Sequence, residues 1–187
     1  ITFEESTLMI VILENTLSDN VAEQLVSYTD IDWAENINDH QSTSRYVFSL
    51  GSVTIVWCSK NQLTLALSNI EAEYQGSTII TCEAILLKRP LQDMQVEVVD
   101  PTLINCENLR SIQLAKNLVF HAQSKHIKVH YHFVHERFLI GEVELKYILT
   151  DRQVADIFTK PLGFNKLRQF TGILGITSQH AALEGEN

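Results

Sequence analysis

The sequence of 187 residues lacks any long hydrophobic run, and its longest apolar stretch, Leu8 to Leu13, covers only six residues. A membrane-spanning helix needs about 20 apolar residues, so we expect no membrane-spanning segment and no membrane partner. A signal-peptide pattern is also absent. The chain begins at Ile1 rather than at a methionine, which leads us to expect a trimmed chain or a segment of a longer protein.

Cysteines and basic residues are scarce. Three widely spaced cysteines without a C-x-x-C pair are typical of reduced interior residues in an intracellular protein, and they argue against a disulfide framework or a zinc site. Lys and Arg number 14 against 23 Asp and Glu, for a net charge of −9. Lys and Arg supply most of the affinity for a phosphate backbone, so metal ions or a neighbouring basic domain must help if the partner is a nucleic acid.

What the chain does contain is ordinary for one globular domain, with 45% hydrophobic and 20% charged residues. Residues 1–24 are poorly patterned, and residues 25–162 carry regular alternation and helical periodicity. We expect residues 163–176 to form a C-terminal amphipathic helix. The polar tail over residues 177–187 is expected to be disordered.

The order of periodic segments predicts the fold class. Alternation predicts three antiparallel strands, and Gly51-Ser52 joins the second and third as a hairpin. Helices and strands then alternate, which indicates an α/β fold with a mixed five-stranded sheet flanked by helices. The predicted strands are 25–33, 45–50, 53–58, 103–106 and 143–149, and the predicted helices are 69–88, 108–117 and 121–138.

Two of these predictions depend on particular residues. The first helix should end before Pro90, with a buried stripe of side chains at helical spacing. That stripe comprises Ile70, Tyr74, Ser77, Thr81, Ala84 and Leu87. Thr150 and Gln153 fit a capping box that opens a short helix through Phe158.

Four carboxylates, Asp30, Glu73, Glu107 and Asp156, each lie at the edge of a different predicted element. Carboxylates from separate strands and helices can converge into one acidic pocket. Such a pocket holds divalent metal ions, because magnesium prefers oxygen ligands, and two ions about 4 Å apart catalyse phosphodiester hydrolysis.

Local geometry decides only part of this set. Glu73 shares a helix face with Ser77 and Ile80, the side predicted to face the sheet, whereas Glu71 faces away. Alternation does not separate Asp30 from Asp32, because both point to the same face of their strand. Both aspartates therefore remain candidates on this ground alone.

Several motifs resemble one known family. They follow in unbroken order over about residues 25–176: YTDIDWA at 28–34, WCSKNQ at 57–62, LSNIEAEY at 67–74, NLVFH at 117–121 and QVADIFTKPL at 153–162. Together these segments resemble the ribonuclease H domain of copia-type LTR-retrotransposon Pol polyproteins. One motif alone would be weak, but the ordered set is specific.

The resemblance implies a ribonuclease H-like fold with catalytic metal ligands at Asp30, Glu73, Glu107 and Asp156. It also implies hydrolysis of the RNA strand of RNA–DNA hybrids by Mg²⁺, with Mn²⁺ as a second metal, during reverse transcription. The expected partners are the hybrid and the reverse transcriptase domain of the same polyprotein. The expected location is intracellular, in cytoplasmic virus-like particles or the nucleus; the oligomeric state stays open.

Glu107 departs from the family pattern, which carries aspartate at this position. The extra methylene moves the carboxylate by on the order of an ångström. A displacement of that size can cost about a hundredfold in rate. We therefore expect a weakened nuclease, or alternatively a catalytically inactive structural or interaction module. Arg45, where a small residue is typical, is a further departure.

Other residues favour simpler interpretations. His126 and His130 lie one helical turn apart, a spacing that can chelate zinc, but a polar helix face is the favoured interpretation. Trp33 and Trp57 could stack on bases, yet core aromatic residues at strand ends are commoner. No Ser/His/Asp or Cys/His hydrolase motif is present.

Overall fold

Five strands form one mixed sheet in a computed structural model that describes residues 22–32, 42–62, 68–116, 125–158 and 160–176. The strands are β1 (Glu23–Asp32), β2 (Thr43–Leu50), β3 (Val53–Asn61), β4 (Val98–Cys106) and β5 (Val143–Tyr147). Their order is β3-β2-β1-β4-β5, antiparallel among the first three and parallel from β1 through β4 to β5. The predicted mixed five-stranded sheet is confirmed; the predictions for residues 1–21 and 177–187 lie outside the described residues.

Within the described residues, four α-helices accompany the sheet: α1 (Asn69–Asp93), α2 (Leu109–Lys116), α3 (Lys125–Leu139) and α4 (Phe164–Ile173). The sheet has a buried cluster on each face. Phe48 of β2 packs with Ile80 and Leu87 of α1, whereas the adjacent Val47 packs with Phe170 of α4. Because neighbouring residues of a strand point to opposite faces, α1 and α4 cover opposite sides of the sheet.

The long helix α1 does not end before Pro90, so that prediction was wrong. The helix continues to Asp93, with Pro90 in its last turns. Leu91 is fully buried in the core, and the Met94 amide donates to the Pro90 carbonyl. Burial of this last turn offsets the bond that proline cannot donate. The predicted stripe is confirmed at Tyr74, Thr81, Ala84 and Leu87 and half-buried at Ser77, and the Ile70 side chain lies outside the described residues.

The strand β4 is longer than predicted, since it begins at Val98 rather than at Leu103. Pro101 interrupts the sequence pattern there, and proline is normally excluded from central strands. The register between β1 and β4 shifts at this point, between Gln24 and Val26 of β1. The irregularity accommodates the missing proline donor, and Gln24 Nε2 donates to the Pro101 carbonyl at 3.1 Å.

The segment after β5 is not the predicted capped helix. It forms two 3-10 turns, Thr150–Arg152 and Val154–Phe158. The Thr150 hydroxyl donates to Glu107 Oε2 at 2.8 Å, and the buried Gln153 amide donates to the Thr29 carbonyl at 2.7 Å. Both side chains that would form a capping box make tertiary contacts instead, which tie these turns to the ends of β1 and β4.

Two other expectations have clear outcomes. Trp57 is 60% exposed and stacks on Phe158 at 6.5 Å between ring centroids, so its assignment to the core was wrong, and Trp33 lies outside the described residues. Among the described helices, none is long and apolar enough to cross a membrane.

Candidate metal centre

The acidic residues meet where two parallel strands end. Asp30 is near the end of β1, Glu107 directly follows β4, and Thr29 is paired with Cys106 between them. The carboxyl ends of parallel neighbours lie at the same edge of a sheet, so this register brings the two acids together. Asp156 comes from the second 3-10 turn.

One carboxylate oxygen from each of Asp30, Glu107 and Asp156 lies within 4.8 Å of the other two. The structure thus gathers three of the four predicted residues, and their role as metal ligands stays a prediction. The side chains of Glu73 and of the rival Asp32 lie outside the described residues.

The backbone of α1 nevertheless passes close to this cluster. A side chain at Gly76 would collide with Ile31, so the glycine allows α1 to lie directly against the end of β1. Ser77, one turn after Glu73, lines a cavity of about 370 Å³ together with Asp30 and Glu107. Glu73 therefore lies one helical turn before Ser77, which lines the same cavity as Asp30 and Glu107.

Three cations of the described residues surround the carboxylates. Asp156, with a side chain only 2% exposed, has Lys160 Nζ 2.7 Å from Oδ1 and Lys166 Nζ 3.6 Å from Oδ2. Asp30 Oδ2 lies 3.6 Å from both Arg45 Nη1 and Lys160 Nζ. These ion pairs offset the repulsion between clustered acids, which would otherwise favour protonation.

Glu107 is the least compensated of the three acids. Burial raises its pKa above the usual value, the charges of Asp30 and Asp156 add to the increase, and the Thr150 hydrogen bond and Lys160 oppose it. The pKa of Lys160 is raised: burial lowers it, but its hydrogen bond to Asp156 and the surrounding acidic charges outweigh that effect. Among the described residues, Asp30 and Asp156 therefore each lie beside two cations, whereas Glu107 is held by the Thr150 hydroxyl.

The donor set fits a hard divalent cation. Glu107 Oε1 and Asp30 Oδ2 are buried, and neither has a hydrogen-bond partner among the described residues. Asp30 Oδ2 has only its two ion pairs, at 3.6 Å. A buried carboxylate oxygen that accepts no hydrogen bond is costly, and an oxygen-preferring ion such as Mg²⁺ or Mn²⁺ would satisfy it.

A zinc site at the histidines gains no support from the described part of the chain. His130 Nδ1 lies 3.2 Å from the Thr78 hydroxyl, and the His126 side chain lies outside the described residues. Within the described ranges, the three acids form the one group of His, Cys, Asp or Glu residues with metal-ligand geometry.

Several proteins are similar to this chain in sequence. The chain is 34% identical over 163 residues to the retrovirus-related Pol polyprotein from transposon RE1 of Arabidopsis thaliana, a match that covers 87% of the chain. It is 35% identical over 154 residues to the corresponding polyprotein from transposon TNT 1-94 of Nicotiana tabacum, over 82% of the chain. The chain spans only 11% and 12% of the lengths of these two relatives.

Among solved structures, the N-terminal RNase H domain of a Mycobacterium tuberculosis protein superposes with a TM-score of 0.52. That match has 12% identity and covers 80% of this chain and 97% of the other. No family model matches the chain. The chain is a ribonuclease H-like domain of the copia-type transposon Pol family.

Sequence reasoning missed several residues of this ribonuclease H-like domain. Lys160 follows Asp156 by four residues, a spacing that could have indicated an ion pair. Thr150 and Gln153 were assigned to a helix cap, and only their long-range hydrogen bonds reveal that they hold Glu107 and the end of β1. Arg45 stood out in the sequence only as a departure from the family pattern.

Proposed function

We propose that this ribonuclease H-like domain hydrolyses the RNA strand of RNA–DNA hybrids with Mg²⁺ or Mn²⁺, as part of a Pol polyprotein during reverse transcription. The observation that carries the proposal is the convergence of Asp30, Glu107 and Asp156 within 4.8 Å at the carboxyl edge of β1 and β4. The ribonuclease H fold of the chain supports the choice of substrate.

In this proposal Asp30, Glu107, Asp156 and Glu73 hold the metal. Bound divalent ions would supply Lewis acidity to a water molecule and to the scissile phosphate. The remaining work belongs to the chain itself. Thr150 holds Glu107 Oε2 through its hydroxyl, and Gln153 fixes the turn that presents Asp156 against β1.

The acidic balance of the chain points to help from a partner. With a net charge of −9, the domain has few basic residues to attract a hybrid by itself. We propose that the reverse transcriptase domain of the same polyprotein delivers the hybrid. The proposed location is intracellular, in virus-like particles of the cytoplasm or in the nucleus.

A cleavage assay tests the activity. A labelled RNA–DNA hybrid is incubated with the natural chain and 5′-end products are followed with Mg²⁺, with Mn²⁺ and with a chelator. We expect slow, metal-dependent cleavage of the RNA strand that Asp156→Asn abolishes. Cleavage that persists in the chelator, or in Asp156→Asn, would contradict the proposal.

A second candidate is a catalytically inactive structural or interaction module. Two observations favour it: the glutamate at position 107 and the three cations that already neutralise the acids. Calorimetric titration with Mg²⁺ or Mn²⁺ separates the two candidates. Two-site binding supports the enzyme, and the absence of any binding supports the module.

A further inference from the structure

Arg45 contributes a positive charge to the acidic site from a fixed position. It lies on β2 directly opposite Asp30 of β1, and its Nη1 atom is 3.6 Å from Asp30 Oδ2. β2 is paired on both sides, with β1 and with β3, so its backbone is held at the centre of the antiparallel half of the sheet. The Arg45 side chain is only 8% exposed, and an arginine stays protonated in proteins.

The other two cations differ from Arg45 in their freedom to leave. Lys160 and Lys166 have side chains that are 42% and 31% exposed, and each carries its charge at the end of a flexible stem. Both ammonium groups can therefore turn into solvent when a metal ion enters. The buried guanidinium of Arg45 has no such exit.

This difference matters because, among the described side chains, the charges of three carboxylates are balanced by those of three cations, before Glu73 is counted. An acidic cluster attracts a divalent ion through its net negative charge. When both lysines turn into solvent, the cluster regains only part of its net negative charge, because Arg45 still lies beside Asp30. Asp156 also acts electrostatically on Arg45, so the guanidinium influences two of the three acids.

We propose that Arg45 sets the metal affinity of this centre, as a permanent counter-ion of Asp30 that makes the natural chain bind Mg²⁺ and Mn²⁺ more weakly. The inference rests on the metal centre of the proposed function and assigns a new residue to it. Charges a few ångströms apart near a protein surface interact strongly enough to change a Kd by roughly tenfold or more.

Mn²⁺ titrations of three variants test this inference, with isothermal calorimetry and the metal-dependent rise in Tm as readouts. Arg45→Gln removes the charge and should bind Mn²⁺ roughly tenfold more tightly. Arg45→Lys keeps the charge and should stay closer to the natural affinity. Arg89→Gln is the matched control, because Arg89 is an exposed residue of α1 about 18 Å along the helix from Ser77.

We expect loss of the buried counter-ion to lower the starting Tm of Arg45→Gln, so the Tm shift is measured at equal Mn²⁺ concentrations and folding is checked by circular dichroism. Arg45→Ser provides a second uncharged variant. Tight binding by the uncharged variants alone supports the inference. Equal or weaker binding by them, or equal tightening in Arg89→Gln, overturns it and leaves the metal centre intact. If neither the natural chain nor any variant binds Mn²⁺, the metal centre itself is wrong and the inference falls with it.

Discussion

Replacing Glu107 with aspartate is the perturbation that most directly tests the chemistry of this site. The substitution removes one methylene and withdraws the carboxylate toward β4 by about 1.5 Å, one carbon–carbon bond. It restores the residue type that the family pattern carries at this position. The shorter side chain would place its carboxylate beside Asp30, at the ends of two adjacent strands.

The expected gain in rate follows from the demands of positioning. A misplacement of about 1 Å costs on the order of a hundredfold, or about 2.7 kcal/mol of transition-state stabilisation. We therefore expect Glu107→Asp to cleave a hybrid about a hundredfold faster than the natural chain. The withdrawal also breaks the 2.8 Å bond from the Thr150 hydroxyl, so the free energy of unfolding should fall by about 1 kcal/mol.

The assay is single-turnover cleavage of a labelled RNA–DNA hybrid in saturating Mg²⁺, with urea denaturation of the same proteins. Thr150→Val is the matched control, since it removes the same hydrogen bond and leaves the glutamate in place. It should reproduce the loss of stability without the gain in rate. Equal rates for the natural chain and Glu107→Asp, both well above background, would refute the reasoning.

Three further outcomes follow from the same structure. Burial raises the pKa of Glu107 above its ordinary 4.5, so the free energy of unfolding of the metal-free protein should fall as the pH rises from 4.5 through that raised pKa. Glu107→Gln should flatten this part of the curve of stability against pH. An unchanged slope in the variant would contradict the prediction. Gly175→Ala should lower the free energy of unfolding by about 2 kcal/mol or more, because Gly175 has a φ of +66° and an added methyl group would overlap the Ser52 carbonyl. The control Gly172→Ala, where a methyl meets open space, should be neutral or stabilising in urea denaturation, and equal losses for the two would argue against this reason. Gln153→Leu should lower the free energy of unfolding by about 1–3 kcal/mol, because it leaves the Thr29 carbonyl without the Gln153 hydrogen bond, and it should weaken Mn²⁺ binding. Thermal denaturation of the variant at the same temperature as the natural chain would contradict the anchoring role of Gln153.

Much of the fold could be predicted because it depends on local periodicity. Alternation and the Gly51-Ser52 turn identified β1 to β3, and helical spacing identified most of the buried stripe of α1. The four carboxylates were candidates because each lies at the edge of a predicted element. That Asp30 and Glu107 meet follows from the parallel pairing of β1 with β4, which the structure shows.

The errors occurred where a distant contact outweighed a local preference. Pro90 stays within α1 because Leu91 is buried in the core, and Thr150 and Gln153 leave their predicted cap for partners on Glu107 and β1. The Thr150 and Gln153 contacts have no signature within a few residues, because their partners lie 43 and 124 positions away along the chain.

The sequence by itself therefore determined the order of helices and strands, the family and the candidate acids, because these depend on residue types and on short spacings along the chain. Only the tertiary structure decided how the acids are neutralised. The cross-strand register sets Arg45 opposite Asp30. The fold of the chain after β5 brings Lys160, which the local spacing already places near Asp156, to Asp30 as well. Electrostatic balance depends on distance and burial in space, which no local pattern of residues encodes.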